Sequence, residues 1–229
     1  MIGKCIAGSY FNYVNSFSTY TPTSSSNLAT TKLKACFAGS ETLSLESGEV
    51  RLISNIKVGD RVLAADAAGR HSYSDVVFVP HRANNDDALF THITTASGRD
   101  IKVTPSHIIL GGSCHSTGPL SLTYASAISV GDCVMTVSGK DMVSIVETVQ
   151  GKWLYTVVTK EEYIVVNGIV ASPFAVNHML ANLYYNVHRL VYASAPSFLN
   201  LKPLHFTNEV SYFNLLRYSC SHYVNTILN

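Results

Sequence analysis

Cys36, Thr104 and His107 are the residues of this chain whose types and spacing could together rearrange a peptide bond. A cysteine thiolate can attack the carbonyl of its own preceding residue, here Ala35, and move the acyl chain from nitrogen to sulfur. Because this shift is uphill in an ordinary amide, the site must weaken that amide and protonate the departing nitrogen. An imidazole, with an unperturbed pKa of about 6.5, can supply the proton, and Thr104 can hydrogen-bond the strained amide.

A turn would explain why Thr104 and His107 stand three residues apart. Pro105 fixes one backbone angle, so that Thr104 and His107 can face the same point. Alone, this Thr-x-x-His pattern also fits a surface threonine and a partly buried histidine. Combined with a cysteine at the start of a β-rich segment, it predicts cleavage of the Ala35–Cys36 bond.

The segment from Cys36 to about Ala171 predicts an all-β domain. Short runs of β-branched residues alternate there with Gly, Asn, Asp and Ser turns, a pattern typical of antiparallel strands. The runs are RVLAAD, SDVVFVP, DIKVTPSHIIL, CVMTV, VSIVETV, YTVVT and YIVVNGIV.

One motif occurs twice within this segment. IKVGDRVLA begins at residue 56, and ISVGDCVMT begins at residue 128, 72 positions later. In each copy the Gly-Asp pair is expected to form the turn into a strand. The repeat predicts two related subdomains with pseudo-twofold symmetry, although two similar turns by chance would give the same pattern.

Composition narrows the functional classes. The 16 basic and 15 acidic residues leave a net charge of +1 without basic runs, so we expect no nucleic-acid binding. The cysteines are odd in number and form no CxxC pair, so the sequence predicts neither a disulfide framework nor a zinc site. Cys114, His115 and His107 lack a fourth ligand at suitable spacing, and Cys133 is expected to be a small buried residue. We expect no metal and no cofactor.

The two ends of the chain differ from its β-rich centre. Residues 1–35 end in a Ser/Thr-rich stretch that predicts a flexible segment, which cleavage would release. Residues 174–229 predict a helical tail, with one amphipathic helix from 174 to 192 and a weaker one from 213 to 228. These helices could pack on the β domain or contact a membrane surface. The sequence contains no run of about 18 apolar residues, so we expect no membrane span. The residues do not indicate a cellular compartment.

Residues 36–173 resemble the Hint (hedgehog/intein) family, and in particular the autoprocessing C-terminal domain of hedgehog proteins. The resemblance implies a horseshoe-like all-β fold, with Cys36 as nucleophile and Thr104 and His107 activating the scissile amide. It also implies a thioester resolved by a lipid alcohol such as a sterol, a tail at 174–229 that resembles a sterol-recognition region, and a secretory or extracellular location. The matching stretches are CFAGSETLSLESGE (36–49), IKVGDRVLAAD (56–66), YSDVVF (73–78), VTPSHIIL (103–110), ISVGDCV (128–134) and IVVNGIVASPFAV (164–176).

Three positions depart from the hedgehog pattern. Ala35 replaces a glycine before the nucleophile, which adds modest bulk without forbidding attack. His81 stands where hedgehog proteins place an acid that activates the sterol, and a neutral imidazole can serve as that base, although a plain loop histidine would look the same. Pro173 replaces a cysteine that can pair with the nucleophile, so Cys36 is not expected in a disulfide through that position.

Other outcomes of the same chemistry stay open. Splicing inteins end in a His-Asn pair, whereas Asn167 lacks the preceding histidine and the chain continues beyond it. Water could resolve the thioester in place of a lipid. A Hint domain that has lost its activity could also serve as an interaction module, whereas a conventional cysteine protease acting on other proteins fits least well.

Overall fold

Strands and turns alternate along nearly all of the chain that the computed structural model describes, which is residues 36–81, 87–174 and 178–194. The described residues also contain two 3-10 helices, Ile53–Asn55 and Ala125–Ala127, and one α-helix, α1 (His178–Ser194), which follows the last strand. The strands are β1 (Phe37–Ala38), β2 (Thr42–Ser44), β3 (Val50–Leu52), β4 (Arg61–Ala65), β5 (His71–His81), β6 (Asp87–Thr95), β7 (Asp100–Val103), β8 (Ile108–Ser113), β9 (Ser121–Tyr124), β10 (Asp132–Thr136), β11 (Gly139–Lys152), β12 (Leu154–Thr159), β13 (Tyr163–Val166) and β14 (Ile169–Ala171).

Twelve of the described strands form one sheet that folds back on itself. Its order is β10-β11-β6-β7-β1-β12-β5-β4-β13-β14-β8-β9, and β10 also pairs with β8 and β14 near the other end. Strands β2 and β3 form a separate two-stranded ribbon. Every residue of β12, β13 and β14 is buried, as expected for strands covered on both faces. The predicted all-β fold is confirmed.

The duplicated motif has the same local structure in both copies. Gly59 and Gly131 have φ angles of 93° and 91°, which glycine adopts without steric cost. The carboxylates of Asp60 and Asp132 each accept a hydrogen bond from the backbone N–H three residues earlier, at 2.8 and 2.9 Å. A 3-10 helix precedes each copy, and a strand follows each Gly-Asp pair or begins within it. The two copies are therefore structurally equivalent turns.

Helix α1 packs on β5 and β12 through a small aromatic cluster. The rings of Tyr185 and Phe174 stack with centroids 5.1 Å apart, and Phe78 lies 5.9 Å from Tyr185. The prediction placed the first helical residue at 174, but Phe174 lies outside the helix, and its carbonyl accepts a hydrogen bond from the Ile108 N–H. The segment from 213 to 228 lies outside the described residues. None of the described helices is long and apolar enough to cross a membrane.

One disulfide is present where the sequence gives no sign of a disulfide framework. Cys114 and Cys133 are joined, with Cα atoms 4.9 Å apart. Cys114 directly follows β8, and the antiparallel register of β8 and β10 sets Cys133 opposite Gly112. Cys133 is buried as expected, but its sulfur is oxidised. Because strand pairing brings these cysteines together, their spacing in the sequence gave no sign of it.

Candidate active site

Cys36 and Thr104 hold each other through two hydrogen bonds. The Cys36 N–H donates to Thr104 Oγ1 at 3.1 Å, and the Thr104 N–H donates to the Cys36 carbonyl at 2.9 Å. Strand β1 supplies this geometry because Phe37 lies between Val103 of β7 and Tyr155 of β12. Both residues are buried, and Cys36 carries a reduced thiol. The pair thus fixes the orientation of the amide nitrogen that joins Cys36 to the preceding residue.

His107 lies beside this pair in the turn that the sequence predicts. Its N–H donates to the Thr104 carbonyl at 2.9 Å, and its ring meets the Phe37 ring edge-on with centroids 4.3 Å apart. His107 Nε2 lies 2.7 Å from the Ser172 carbonyl, which can only accept, so Nε2 carries the proton. His107 Nδ1 is therefore unprotonated, and it is buried without a hydrogen-bond partner among the described residues.

Complete burial lowers the proton affinity of the His107 imidazole. The loss of solvent lowers the pKa of the fully buried imidazole to about 4, although the hydrogen bond to the Ser172 carbonyl acts in the opposite direction. The sequence alone predicts a histidine with a pKa near its ordinary value of about 6.5, ready to donate a proton. Instead His107 is neutral at pH 7, so it must accept a proton at Nδ1 before it can deliver one.

Thr156 is a contact of the nucleophile that the sequence analysis missed. Its hydroxyl lies 3.9 Å from Cys36 Sγ, within hydrogen-bonding range for sulfur, and its side chain is buried. Thr156 is one of two threonines in β12, so its type and spacing did not distinguish it. Ser172 was missed for a different reason, because it acts on His107 through its backbone carbonyl, which no side-chain pattern reveals.

The other residues that the sequence analysis considered for the site are His81, Ala35 and Cys114. His81 ends β5, and the backbone register sets it opposite Thr156 of β12. The surroundings of the His81 side chain, and the whole of Ala35, lie outside the described residues, as do 1–34 and 195–229. The sulfur of Cys114, which the sequence offers as a weak candidate for a metal ligand, is in the disulfide with Cys133.

Asn167, the residue compared with the splicing asparagine of inteins, is fully occupied by structural contacts. Its Oδ1 accepts hydrogen bonds from the N–H and the hydroxyl of Thr42, at 2.8 and 2.7 Å. Its Nδ2 donates to Glu41 Oε2 at 2.7 Å and to the Asp100 carbonyl at 3.0 Å. Burial raises the pKa of Glu41, which Lys102 partly counteracts. An amide nitrogen held in this way is not available to cyclise onto its own backbone.

Comparison with solved structures agrees with this architecture. A crystal structure of a mutant of an Ssp DnaB mini-intein variant superposes with a TM-score of 0.51 and 14% identity, covering 63% of this chain and 100% of the mini-intein. That similarity defines the class of the fold, which is that of the intein-like domains.

The family follows from the sequence. A family model described as the Hint module matches residues 23–226, so the chain belongs to the Hint family, and it is similar in sequence to hedgehog proteins. Warthog protein 6 of Caenorhabditis elegans is 30% identical over 171 residues, which are 72% of this chain and 28% of that protein. Sonic hedgehog protein of Danio rerio is 32% identical over 176 residues, which are 72% of this chain and 42% of that protein. The chain spans less than half the length of these relatives.

Proposed function

We propose that this chain cleaves its own backbone between Ala35 and Cys36 through a thioester at Cys36. The observation that carries the proposal is the reciprocal pairing of Cys36 with Thr104, because it holds the amide nitrogen that must leave. Membership of the Hint family, with hedgehog-type relatives, supports autoprocessing in general.

His107 moves one proton during formation of the thioester. Its unprotonated Nδ1 takes the proton of the Cys36 thiol, and the sulfur attacks the carbonyl carbon of Ala35. The C–N bond then breaks as Nδ1 returns the proton to the Cys36 nitrogen, which leaves a thioester and a neutral amine. The Thr156 hydroxyl donates to the sulfur while it carries negative charge. No cofactor is needed, because His107 carries the one proton that moves from the thiol to the backbone nitrogen of Cys36.

A lipid alcohol, with a sterol as the first candidate, resolves the thioester. The alcohol oxygen attacks the acyl carbon, the C–S bond breaks, and residues 1–35 leave as an ester at Ala35. His81 takes the proton of the alcohol and delivers it to the departing sulfur of Cys36. The register of His81 opposite Thr156 supports this role, because Thr156 contacts the same sulfur. The amphipathic pattern of the tail at 174–229 supports contact with a lipid surface.

The first experiment tests formation of the thioester. The full chain with an N-terminal tag is treated with hydroxylamine, which captures the thioester, and the released fragment is weighed by mass spectrometry. We expect a fragment that ends at Ala35, and none from the Cys36→Ala variant. Release that is absent from the parent, or equal in the variant, overturns the proposal and favours a Hint domain that serves as an interaction module.

The second experiment identifies the acceptor. Sterol is added in detergent without hydroxylamine, and we expect the fragment to gain the mass of the sterol less one water relative to its free acid. His81→Ala should slow this transfer while leaving cleavage by hydroxylamine unchanged, and His71→Ala, an exposed histidine at the far end of β5, serves as the matched control. A fragment that carries only water refutes lipid transfer and indicates hydrolysis. Loss of both reactions in His81→Ala refutes our division of roles.

A further inference from the structure

A series of hydrogen bonds connects His178, the first residue of α1, with Ser172, and the Ser172 carbonyl contacts the imidazole of His107. Ser172 Oγ lies 2.8 Å from His178 Nδ1, and His178 Nε2 lies 2.6 Å from Glu162 Oε1. The carbonyl of the same Ser172 accepts the hydrogen bond from His107. Ser172 is fully buried and His178 is 6% exposed, so water does not compete for these contacts. Glu162, His178 and Ser172 are referred to below as the relay.

The hydrogen bonds of the relay all run in one direction, with each group donating to the next from Ser172 through His178 to Glu162. Phe174 donates its N–H to Ser172 Oγ at 3.0 Å, so the hydroxyl proton points away from that N–H and can be donated to His178 Nδ1. His178 Nε2–H then donates to the Glu162 carboxylate. Burial lowers the pKa of His178, which the charge of Arg189 reinforces and Glu162 opposes, so the neutral imidazole that this pattern requires is favoured.

The relay resembles the Ser-His-Glu arrangement of hydrolases, but its geometry does not suit a nucleophile. Ser172 has no exposed surface, and its oxygen already accepts the Phe174 N–H. The imidazole of His178 stacks on the Tyr163 ring, with centroids 4.9 Å apart and planes 12° apart. A substrate has no approach to the hydroxyl. The group that the relay presents to a reacting site is the Ser172 carbonyl, on the side of the residue that faces His107.

Fixing that carbonyl fixes the tautomer of His107. The Ser172 N–H donates to the Ile108 carbonyl at 3.0 Å, and Oγ is held from both sides, so the residue has little freedom to turn. With the carbonyl aimed at Nε2, the proton must sit on Nε2 and Nδ1 must stay bare. The opposite tautomer would set two lone pairs against each other in a buried place and would leave no base for the Cys36 thiol.

We infer that Glu162, His178 and Ser172 form a positioning relay that holds His107 in the tautomer able to accept the thiol proton. The inference rests on the proposed function, because it assigns that proton transfer to His107 Nδ1. His178 and Glu162 act through Ser172 and do not touch the reacting atoms. Since His178 is the first residue of α1, the relay is complete only when this helix is seated. Seating of the helical tail and activation of the scissile amide are thereby coupled.

The tautomer of His107 can be read directly by nitrogen-15 NMR of histidine side chains. The full chain with Cys36→Ala stays uncleaved, and comparison with a second substitution, His107→Gln, assigns the signals. We expect His107 as the Nε2–H tautomer in this background at pH 7. Adding His178→Phe keeps an aromatic ring for stacking on Tyr163 but removes both hydrogen bonds, so the other tautomer should become populated. Ser172→Ala, which removes Oγ and keeps the carbonyl, should change the spectrum in the same direction.

The rate of cleavage by hydroxylamine, measured with Cys36 intact, gives the second readout. We expect His178→Phe to slow thioester formation about five- to tenfold, as the loss of one net hydrogen bond would. Glu162→Gln keeps an oxygen that can accept a hydrogen bond from His178 Nε2, so its cleavage rate should stay within about twofold of the parent rate. Glu162→Leu has no such oxygen and should be slowed by as much as His178→Phe. His71→Gln, at an exposed histidine, should change neither readout.

The two readouts separate this inference from the proposed function. If the parent itself is not cleaved by hydroxylamine, the proposed function fails, and the NMR spectra still decide whether the relay sets the tautomer. If His178→Phe and Ser172→Ala leave the His107 tautomer ratio of the parent, the relay is refuted, whatever happens to the rate. A lower melting temperature with an unchanged tautomer ratio would show that these residues contribute only to stability.

Discussion

The buried, neutral state of His107 predicts a specific loss of stability in weak acid. The pKa of His107 is lowered to about 4 in the folded chain, against about 6.5 in an unfolded one. A group with a depressed basic pKa binds more protons when the chain unfolds, so its contribution to stability is complete above pH 6.5 and is lost as the pH falls towards 4. At pH 5 the unfolded chain is almost fully protonated at this residue, whereas the folded chain is not. Linkage then gives a loss of about 2 kcal/mol relative to pH 7.5, and about 3 kcal/mol well below pH 4.

The assay is urea unfolding of the full chain with Cys36→Ala, followed by circular dichroism at pH 7.5 and pH 5. The same measurement on Cys36→Ala with His107→Gln removes the titrating group but keeps a nitrogen that can donate to the Ser172 carbonyl. His178, with a lowered pKa, and Glu41, with a raised one, titrate in both proteins and cancel in the comparison. We expect the free energy of unfolding to fall by about 2 kcal/mol more in the first protein than in the second.

Parallel losses in the two proteins would refute the reasoning, because His107 would then have the same proton affinity in the folded and unfolded chains. The same pKa predicts the pH dependence of the reaction. Cleavage at a constant concentration of unprotonated hydroxylamine should hold its rate from pH 7 to about pH 5 and fall as the pH approaches 4, where Nδ1 is already protonated.

Three further predictions concern other contacts of the fold and the site. Thr104→Val removes the acceptor of the Cys36 N–H and should slow hydroxylamine cleavage about tenfold, whereas Thr104→Ser should keep most of the rate; equal rates for the two variants would contradict the assignment. Asn167→Ala removes the hydrogen bond that Asn167 Nδ2 donates to the buried Glu41 carboxyl group, and it should lower the free energy of unfolding in urea by about 2 kcal/mol. An unchanged urea midpoint would refute the structural role of the Asn167 side chain. Reduction of the Cys114–Cys133 disulfide should lower the free energy of unfolding of the parent by about 3 kcal/mol, and with it the melting temperature. The same treatment should leave the melting temperature of the double variant with serine at both positions unchanged. Equal shifts in the two proteins would exclude the disulfide as the cause.

The sequence predicted those parts of the fold and site that depend on neighbouring residues. The β-branched runs, the Gly-Asp turns and the Thr104–His107 turn are local patterns, and each one corresponds to a strand or turn in the structure. The duplicated motif was visible because both copies keep the same residue types where the backbone geometry demands them. Cys36 stood out because its type is rare and it begins a β-rich segment.

The features that the sequence did not predict depend on which distant segments meet. The contact of Thr156 with the Cys36 sulfur follows from the pairing of β1 with β12, and the Cys114–Cys133 disulfide from the pairing of β8 with β10. The low pKa of His107 is a result of complete burial, which no local pattern reports. The later start of α1 has the same origin, because the Phe174 carbonyl is engaged by the N–H of Ile108, a residue 66 positions earlier in the chain.

The disulfide between Cys114 and Cys133 changes how sulfur chemistry on this molecule should be interpreted. A thiol reagent such as dithiothreitol can both intercept an acyl group on Cys36 and exchange with the oxidised pair, so one reagent acts at two sites. Hydroxylamine attacks the acyl group and leaves the oxidised pair intact. The ratio of the two cleavage rates, compared between the parent and the variant with serine at both Cys114 and Cys133, therefore measures how strongly the covalent link between β8 and β10 influences the nucleophile.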